Sequence, residues 1–188
     1  GSSSNSRYRP GGRGRGGKWT PSTRLSASES QVEKPVVEKK PDEEIEKQTE
    51  SFVKEYFTCK DIEEAGLCLI ELGAQQEQLP LVIVRGILVA LESKPEDMVN
   101  LSKLYVAFVA ALRLSRHDIR KGLDIVLENL GEYATDLPIA PRKLAPVFGS
   151  SLLNGYVNLD FIKEKVQDNL GVNAIMLVST TMQWIYQE

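Results

Sequence analysis

Histidine and cysteine are nearly missing from these 188 residues: there is one histidine, His117, and there are two cysteines, Cys59 and Cys68. So few soft ligands exclude a zinc tetrad and suggest no metal or cofactor site. The two thiols read as reduced and half-buried, as expected of an intracellular, cytoplasmic protein. No run approaches the ~20 consecutive apolar residues of a membrane span. No signal peptide precedes the body, so neither secretion nor membrane insertion is expected. The glycine-rich stretch GGRGRGG has neither strand nor helix around it and cannot act as a phosphate-binding turn. His117 stands between Arg116 and Asp118 with no Cys or Ser partner at a suggestive spacing, and reads as a first-turn surface residue. The carboxylates are many but spread along helical faces, the usual mark of a solvated surface. Nothing here looks like an enzyme.

What is present is a division of charge. The chain carries 23 Lys+Arg and 26 Asp+Glu, a net charge of −3. Residues 1–41 hold nine of the cations and three of the acids, a balance of +6, which leaves −9 for residues 42–188. Residues 1–6 (GSSSNS) read as an expression leader. The run RYRPGGRGRGGKWTPSTR, residues 7–24, has five Arg, one Lys, no acid and almost nothing that could build a core. Burial cannot offset the entropy of ordering it, so a disordered arm is expected, with a linker running to residue 41. Arg7, Arg9, Arg13, Arg15 and Trp19 are the residues such an arm would use for weak, salt-sensitive RNA contact. The plain reading of the arm is a soluble linker.

From Asp42 the spacing turns helical. Pro41 followed by three acids marks a helix start. Ile45, Thr49, Phe52, Val53, Tyr56 and Phe57 form its stripe. Asp61 can cap a second helix with Ile62, Ala65, Cys68, Leu69 and Leu72 on one face and Gly73 at its end. The nearly uniform apolar run 81–91 predicts a buried helix, with Leu81, Val84, Leu88 and Leu91 as its stripe. Pro95 opens a helix carrying Met98, Leu101, Leu104, Tyr105, Phe108, Ala111 and Leu112. Ser115 and Asp118 resemble a capping box for a helix that reaches Leu130. A sixth helix follows Pro138 and Pro141, carries Leu144, Val147, Phe148, Ser151 and Leu152, and closes at Asn154-Gly155. The last two span 159–170 and 173–186, parted at Gly171. Eight helices with short connections predict an all-α fold of stacked antiparallel hairpins, a HEAT-like α-solenoid over residues 42–188.

One stretch resists a purely structural reading. In ENLGEYATDLPIAP, Glu128, Glu132 and Asp136 stand four apart where a helix ends and two prolines stiffen the connection. Like charges at that spacing repel, and carboxylates near a helix C-terminus oppose the dipole. Asp136 can be explained as the cap of a helix starting near Leu137-Pro138, which leaves Glu132 unexplained; capping and partner contact remain open for the same carboxylate.

Three segments together resemble an MA3 domain, the helical-hairpin module of translation initiation factor 4G and of the programmed-cell-death-4 tumour suppressor. They are EEIEKQTESFVKEYFTCKDIEEAGLCLIEL, VIVRGILVALES and ATDLPIAPRKLAPVF, and the resemblance covers residues 42–170. Two departures stand out: a glycine directly after Arg85, and Gly66 where the family more often carries a larger residue. The resemblance implies a non-catalytic module that binds initiation factor 4A, a DEAD-box RNA helicase, through acids at and before the D-x-P joint. By position these are Asp136 and Pro138, then Glu132, with Glu128 on the same row and Leu137 as an apolar anchor. The partner surface it implies is the helicase's N-terminal RecA-like domain. Three other readings remain: a helicase-sequestering inhibitor, a related scaffold that does not bind the helicase, and RNA binding through the arm.

Overall fold

The computed structural model describes residues 39–167 and 171–187. The arm with Arg7, Arg9, Arg13, Arg15 and Trp19, the leader and most of the linker lie outside the described residues, as do the last residues of the helix expected over 159–170. Among the described residues every regular element is helical. The elements are α1 (Asp42–Cys59), α2 (Ile62–Glu71), α3 (Leu79–Glu92), α4 (Pro95–Ala110), α5 (Arg116–Glu128), α6 (Leu130–Asp136), α7 (Ala140–Lys143), α8 (Ala145–Leu153), α9 (Leu159–Gln167) and α10 (Gly171–Gln187), with a 3-10 turn at Gln76–Gln78. The expected eight become ten because a short unexpected helix, α6, follows the end of the fifth at Asn129, and the expected sixth divides at Leu144.

The described residues form one packed unit. Helices α1, α3 and α5 lie side by side as one layer, and α2, α4 and α8 as the other, with α10 laid over α7 and α8. This is the stacked-hairpin architecture expected from the sequence. Its core runs through Ile83 and Ile87 of α3, Met98, Leu101, Leu104 and Phe108 of α4, Ile119, Leu123 and Leu127 of α5, and Phe148 of α8, all buried.

The punctuation follows local chemistry. The Asp61 carboxylate accepts from Glu64 N–H at 3.0 Å, and Gly73 takes the left-handed φ of +64° that ends the α2 turn. Ser115 and Asp118 complete a reciprocal box: Asp118 N–H donates to Ser115 Oγ at 3.1 Å and Ser115 N–H to Asp118 Oδ2 at 2.8 Å.

Three expectations are corrected. Helix α3 is buried as read, but Leu81, Val84 and Leu88 are only half-buried, and it is Val82, Ile83, Gly86, Ile87, Val89 and Ala90 that face the core. Neighbours α1, α4 and α5 enclose α3 on several sides, so its inward face is set by contacts that one periodic stripe does not describe. Leu112, placed on the α4 stripe, lies past the helix end and is 91% exposed. Cys59 is exposed; Cys68 alone is half-buried.

The two departures also find their reasons. A Cβ on Gly86 would lie 2.3 Å from the Tyr105 hydroxyl, and that hydroxyl donates to the Ile83 carbonyl at 2.8 Å inside the core. The bare glycine lets α4 approach α3 closely enough for a buried phenol to find a partner, as burial requires. At Gly66 a Cβ would meet the guanidinium of Arg113, which is laid across α2 with Glu63 3.8 Å away.

Candidate partner-binding site

The elbow between α5 and α7 is held from beneath by apolar residues. Asn129, at φ −100° and ψ 5°, ends α5 and begins α6 at once. Its side-chain amide donates to the Ile125 carbonyl at 2.7 Å, the same oxygen that accepts its backbone N–H at 3.2 Å. Leu130 then inserts fully into the core, and Tyr133 and Leu137 pack half-buried against it. Leu137 N–H closes the last turn onto Tyr133 O at 2.8 Å. Leu137 is extended, at φ −131° and ψ 91°, as the residue before a proline prefers to be. Ala140 and Pro141 are buried at the start of α7. The Lys143 ammonium donates to the carbonyls of Leu91 and Ser93, at 2.5 and 2.7 Å, and so ties the elbow to the C-terminal end of α3. Helix α10 packs on both α6 and α7.

On this base the charged residues point outward. Glu128, Glu132 and Asp136 are all exposed. Because the helix does not persist through Asn129, the row of three is interrupted: Glu132 and Asp136, four apart, share a face of α6, while Glu128 closes α5. Asp136 does not cap the following helix. It is the last residue of α6, the N-cap position of α7 falls on Ile139, and no side chain caps α7. Among the described residues the Asp136 carboxylate has no hydrogen bond or ion pair. Glu132 lies close enough to Tyr133 to add, after burial, to the rise of that phenol's pKa.

Pro138 is exposed beside these acids. Leu137, the residue read as an apolar anchor, is not exposed. Leu137 is half-buried and committed to the core, whereas Ile139, one residue past Pro138, is 50% exposed. Ile139 was missed in the sequence because the two flanking prolines remove the periodicity that marks an inward or outward face. The site is therefore an exposed dicarboxylate face, a rigid proline and an exposed isoleucine on a braced elbow. Such a surface can pair with cations and seat an apolar side chain next to them. His117 is exposed on the first turn of α5, as expected. Among the described residues no three His, Cys, Asp or Glu side chains converge as a metal site, and no helix is long and apolar enough to cross a membrane.

Comparison with known proteins places this geometry in context. The family model described as the MA3 domain matches residues 45–158. The chain is 27% identical over 129 residues to eukaryotic translation initiation factor 4G of Arabidopsis thaliana, covering 68% of this chain and 7% of that protein. It is 25% identical over 146 residues to MA3 domain-containing translation regulatory factor 4 of the same plant, covering 78% and 23%. It is 30% identical over 119 residues to human eukaryotic translation initiation factor 4 gamma 3, covering 63% and 7%. The chain thus corresponds to a small part of each of these relatives.

Proposed function

The chain belongs to the MA3 family, and from that premise we propose that residues 42–188 are a non-catalytic docking domain of a translation scaffold, binding the N-terminal RecA-like lobe of the DEAD-box helicase initiation factor 4A. Likeness to initiation factors and to translation regulatory factors supports a translation-related, protein-binding role at the coarser level. The observation that carries the finer reading is the elbow: Glu132 and Asp136 stand exposed on one face of α6 at a like-charge spacing that disfavours the helix, with Ile139 exposed beside them. An arrangement costly to the free domain is explained by a partner that neutralises it. A body carrying −9 also steers a basic surface toward it and raises the encounter rate.

In this reading Asp136 pairs with a cation of the helicase lobe, Glu132 and Glu128 add to the local field, Ile139 seats in an apolar depression, and Pro138 holds the register. Leu137 acts from below as a structural support. The arm, with Arg7, Arg9, Arg13, Arg15 and Trp19, adds weak RNA contact, and the protein works in the cytoplasm. Likeness to regulatory factors as well as initiation factors favours one binding surface with either of two outcomes, stimulation or sequestration of the helicase, which an ATPase assay of the helicase with the domain added separates.

The test is calorimetric titration of purified helicase into wild-type and Asp136→Lys protein. The variant is expected to bind tenfold or more weakly, about 1.4 kcal/mol or beyond, with unaltered helical circular dichroism. Equal affinities with intact folding would remove the elbow from the interface.

A further inference from the structure

Leu112 is placed against its own interest as a folding residue. It ends α4 in the left-handed region at φ +56°. Around it the turn is a Schellman motif, with Leu112 N–H bonded to Val109 O at 3.1 Å and Arg113 N–H to Phe108 O at 2.9 Å. Glycine is the usual occupant of that position, since a side chain there strains the backbone. The leucine gains nothing by burial in return, being 91% exposed. Beside it lies a groove of about 480 Å³ whose lining includes Val106, Val109, Leu112, Leu114, Arg116 and Tyr156.

The surroundings of the groove are cationic. Residues 113–121 contain Arg113, Arg116, Arg120 and Lys121 against a single acid, Asp118, and of these cations Arg113 is turned toward Glu63 on α2, 3.8 Å away. Asp118 is 2% exposed and spends its oxygens on Ser115 and on the Gln76 amide, 2.9 Å away. Arg120 lies over the Phe161 ring at 5.1 Å. Burial raises the pKa of Tyr156, and Arg116, which also lines the groove, stands close enough to oppose part of that rise. This corner is therefore positive within a body of −9.

We propose that the α4–α5 corner is a second docking surface, which takes an acidic peptide segment of a partner protein, seating an apolar side chain against Leu112 in the groove and pairing carboxylates with Arg116 and its cationic neighbours. Charge complementarity selects an acidic partner. The walls select a peptide over nucleic acid: they are mainly aliphatic, and the single aromatic is half-buried in its own chain, whereas single-stranded RNA needs open aromatic faces on which to stack. The capping box uses the amides of Ser115 and Asp118, and in this proposal recognition falls to side chains rather than to the helix end. This surface does not depend on the helicase reading.

The experiment is a methyl and amide NMR titration of the full chain with a peptide of about a dozen residues, glutamates with leucines at helical spacing. The matching lysine peptide and a short poly-uridine oligonucleotide serve as the other arms. The acidic peptide is expected to shift Val106, Leu112, Leu114 and Tyr156. Arg116→Glu, a surface change at a helix start that favours acids, should weaken binding about tenfold with unchanged melting temperature. Leu112→Gly should weaken it about fivefold while raising the melting temperature, because the strain is relieved. That pairing separates a docking residue from a structural one. Equal affinity of the Leu112→Gly protein, equal binding of the lysine peptide, or shifts at the corner with the oligonucleotide alone would each overturn the proposal.

Discussion

Replacing Gly122 by alanine sets two opposed effects against each other, and the structure decides between them. Alanine in a helix interior is favoured over glycine by about 1 kcal/mol. Against this, a Cβ at residue 122 would lie 2.7 Å from the Cβ and 2.6 Å from the Cγ2 of Ile83, with the Pro80 carbonyl at 3.3 Å. Ile83 is wholly buried, and its Cβ is fixed to the α3 backbone, so relief requires α3 and α5 to move apart. Overpacking of this kind costs about 1–3 kcal/mol. The expected net loss is about 1 kcal/mol, which for a chain of this size lowers the melting temperature by about 2–4 °C. The same change at Gly131, where nothing lies within 4 Å of the would-be Cβ, should raise it slightly, by a few tenths of a kcal/mol up to about 1. Thermal melts followed at 222 nm measure both. A Gly122→Ala protein as stable as wild type or more so would refute the close approach of α3 and α5 that frames the whole stack.

Three further outcomes follow from the same structure. Leu104→Ala should lose about 2–5 kcal/mol in urea unfolding, since the side chain is fully enclosed; a loss under about 1 kcal/mol would contradict that burial. Hydrogen bonds from Lys54 and then Arg85 hold the Glu50 carboxyl down to about 2, from an ordinary value of 4.5. Its stabilising effect is therefore complete above pH 4.5 and drains as the pH falls toward 2. Melting temperature against pH should drop less steeply across that window in Glu50→Gln, and parallel curves would refute the linkage. The exposed thiol of Cys59 should react promptly with a disulfide reagent, while Cys68 lags, its pKa raised by burial and then by Glu64, Glu55 and Glu71. Equal rates would contradict the assignment.

The features legible in the sequence were those fixed by neighbours in the chain. Asp61, the Ser115–Asp118 pair, Gly73 and Gly155 mark their helix ends through bonds or dihedrals spanning a few residues, and each stands where it was read. The misreadings were tertiary. Nothing polar marks an outer face in LVIVRGILVAL, so the inward side of α3 depended on which helices came to surround it. Leu112 prolongs the α4 periodicity past the point where the backbone leaves the helix, and it lacks the glycine that would have announced the turn. The short helix α6 beyond Asn129 was missed, its seven residues being too few to show a periodic stripe. For the candidate site, Glu128, Glu132 and Asp136 were singled out by their like-charge spacing and Pro138 by the resemblance, and all four are exposed. That Leu137 is half-buried while Ile139 is exposed was not legible, since two prolines erase the pattern that tells inside from outside.

The most direct test of helicase docking at the elbow is an isotope-edited NMR titration of this chain with the isolated N-terminal lobe of initiation factor 4A. The account predicts that resonances of Glu132, Tyr133, Asp136 and Ile139 shift or broaden first, with salt weakening the effect. Perturbations confined to other surfaces, or none at concentrations where the lobe is folded and soluble, would contradict it.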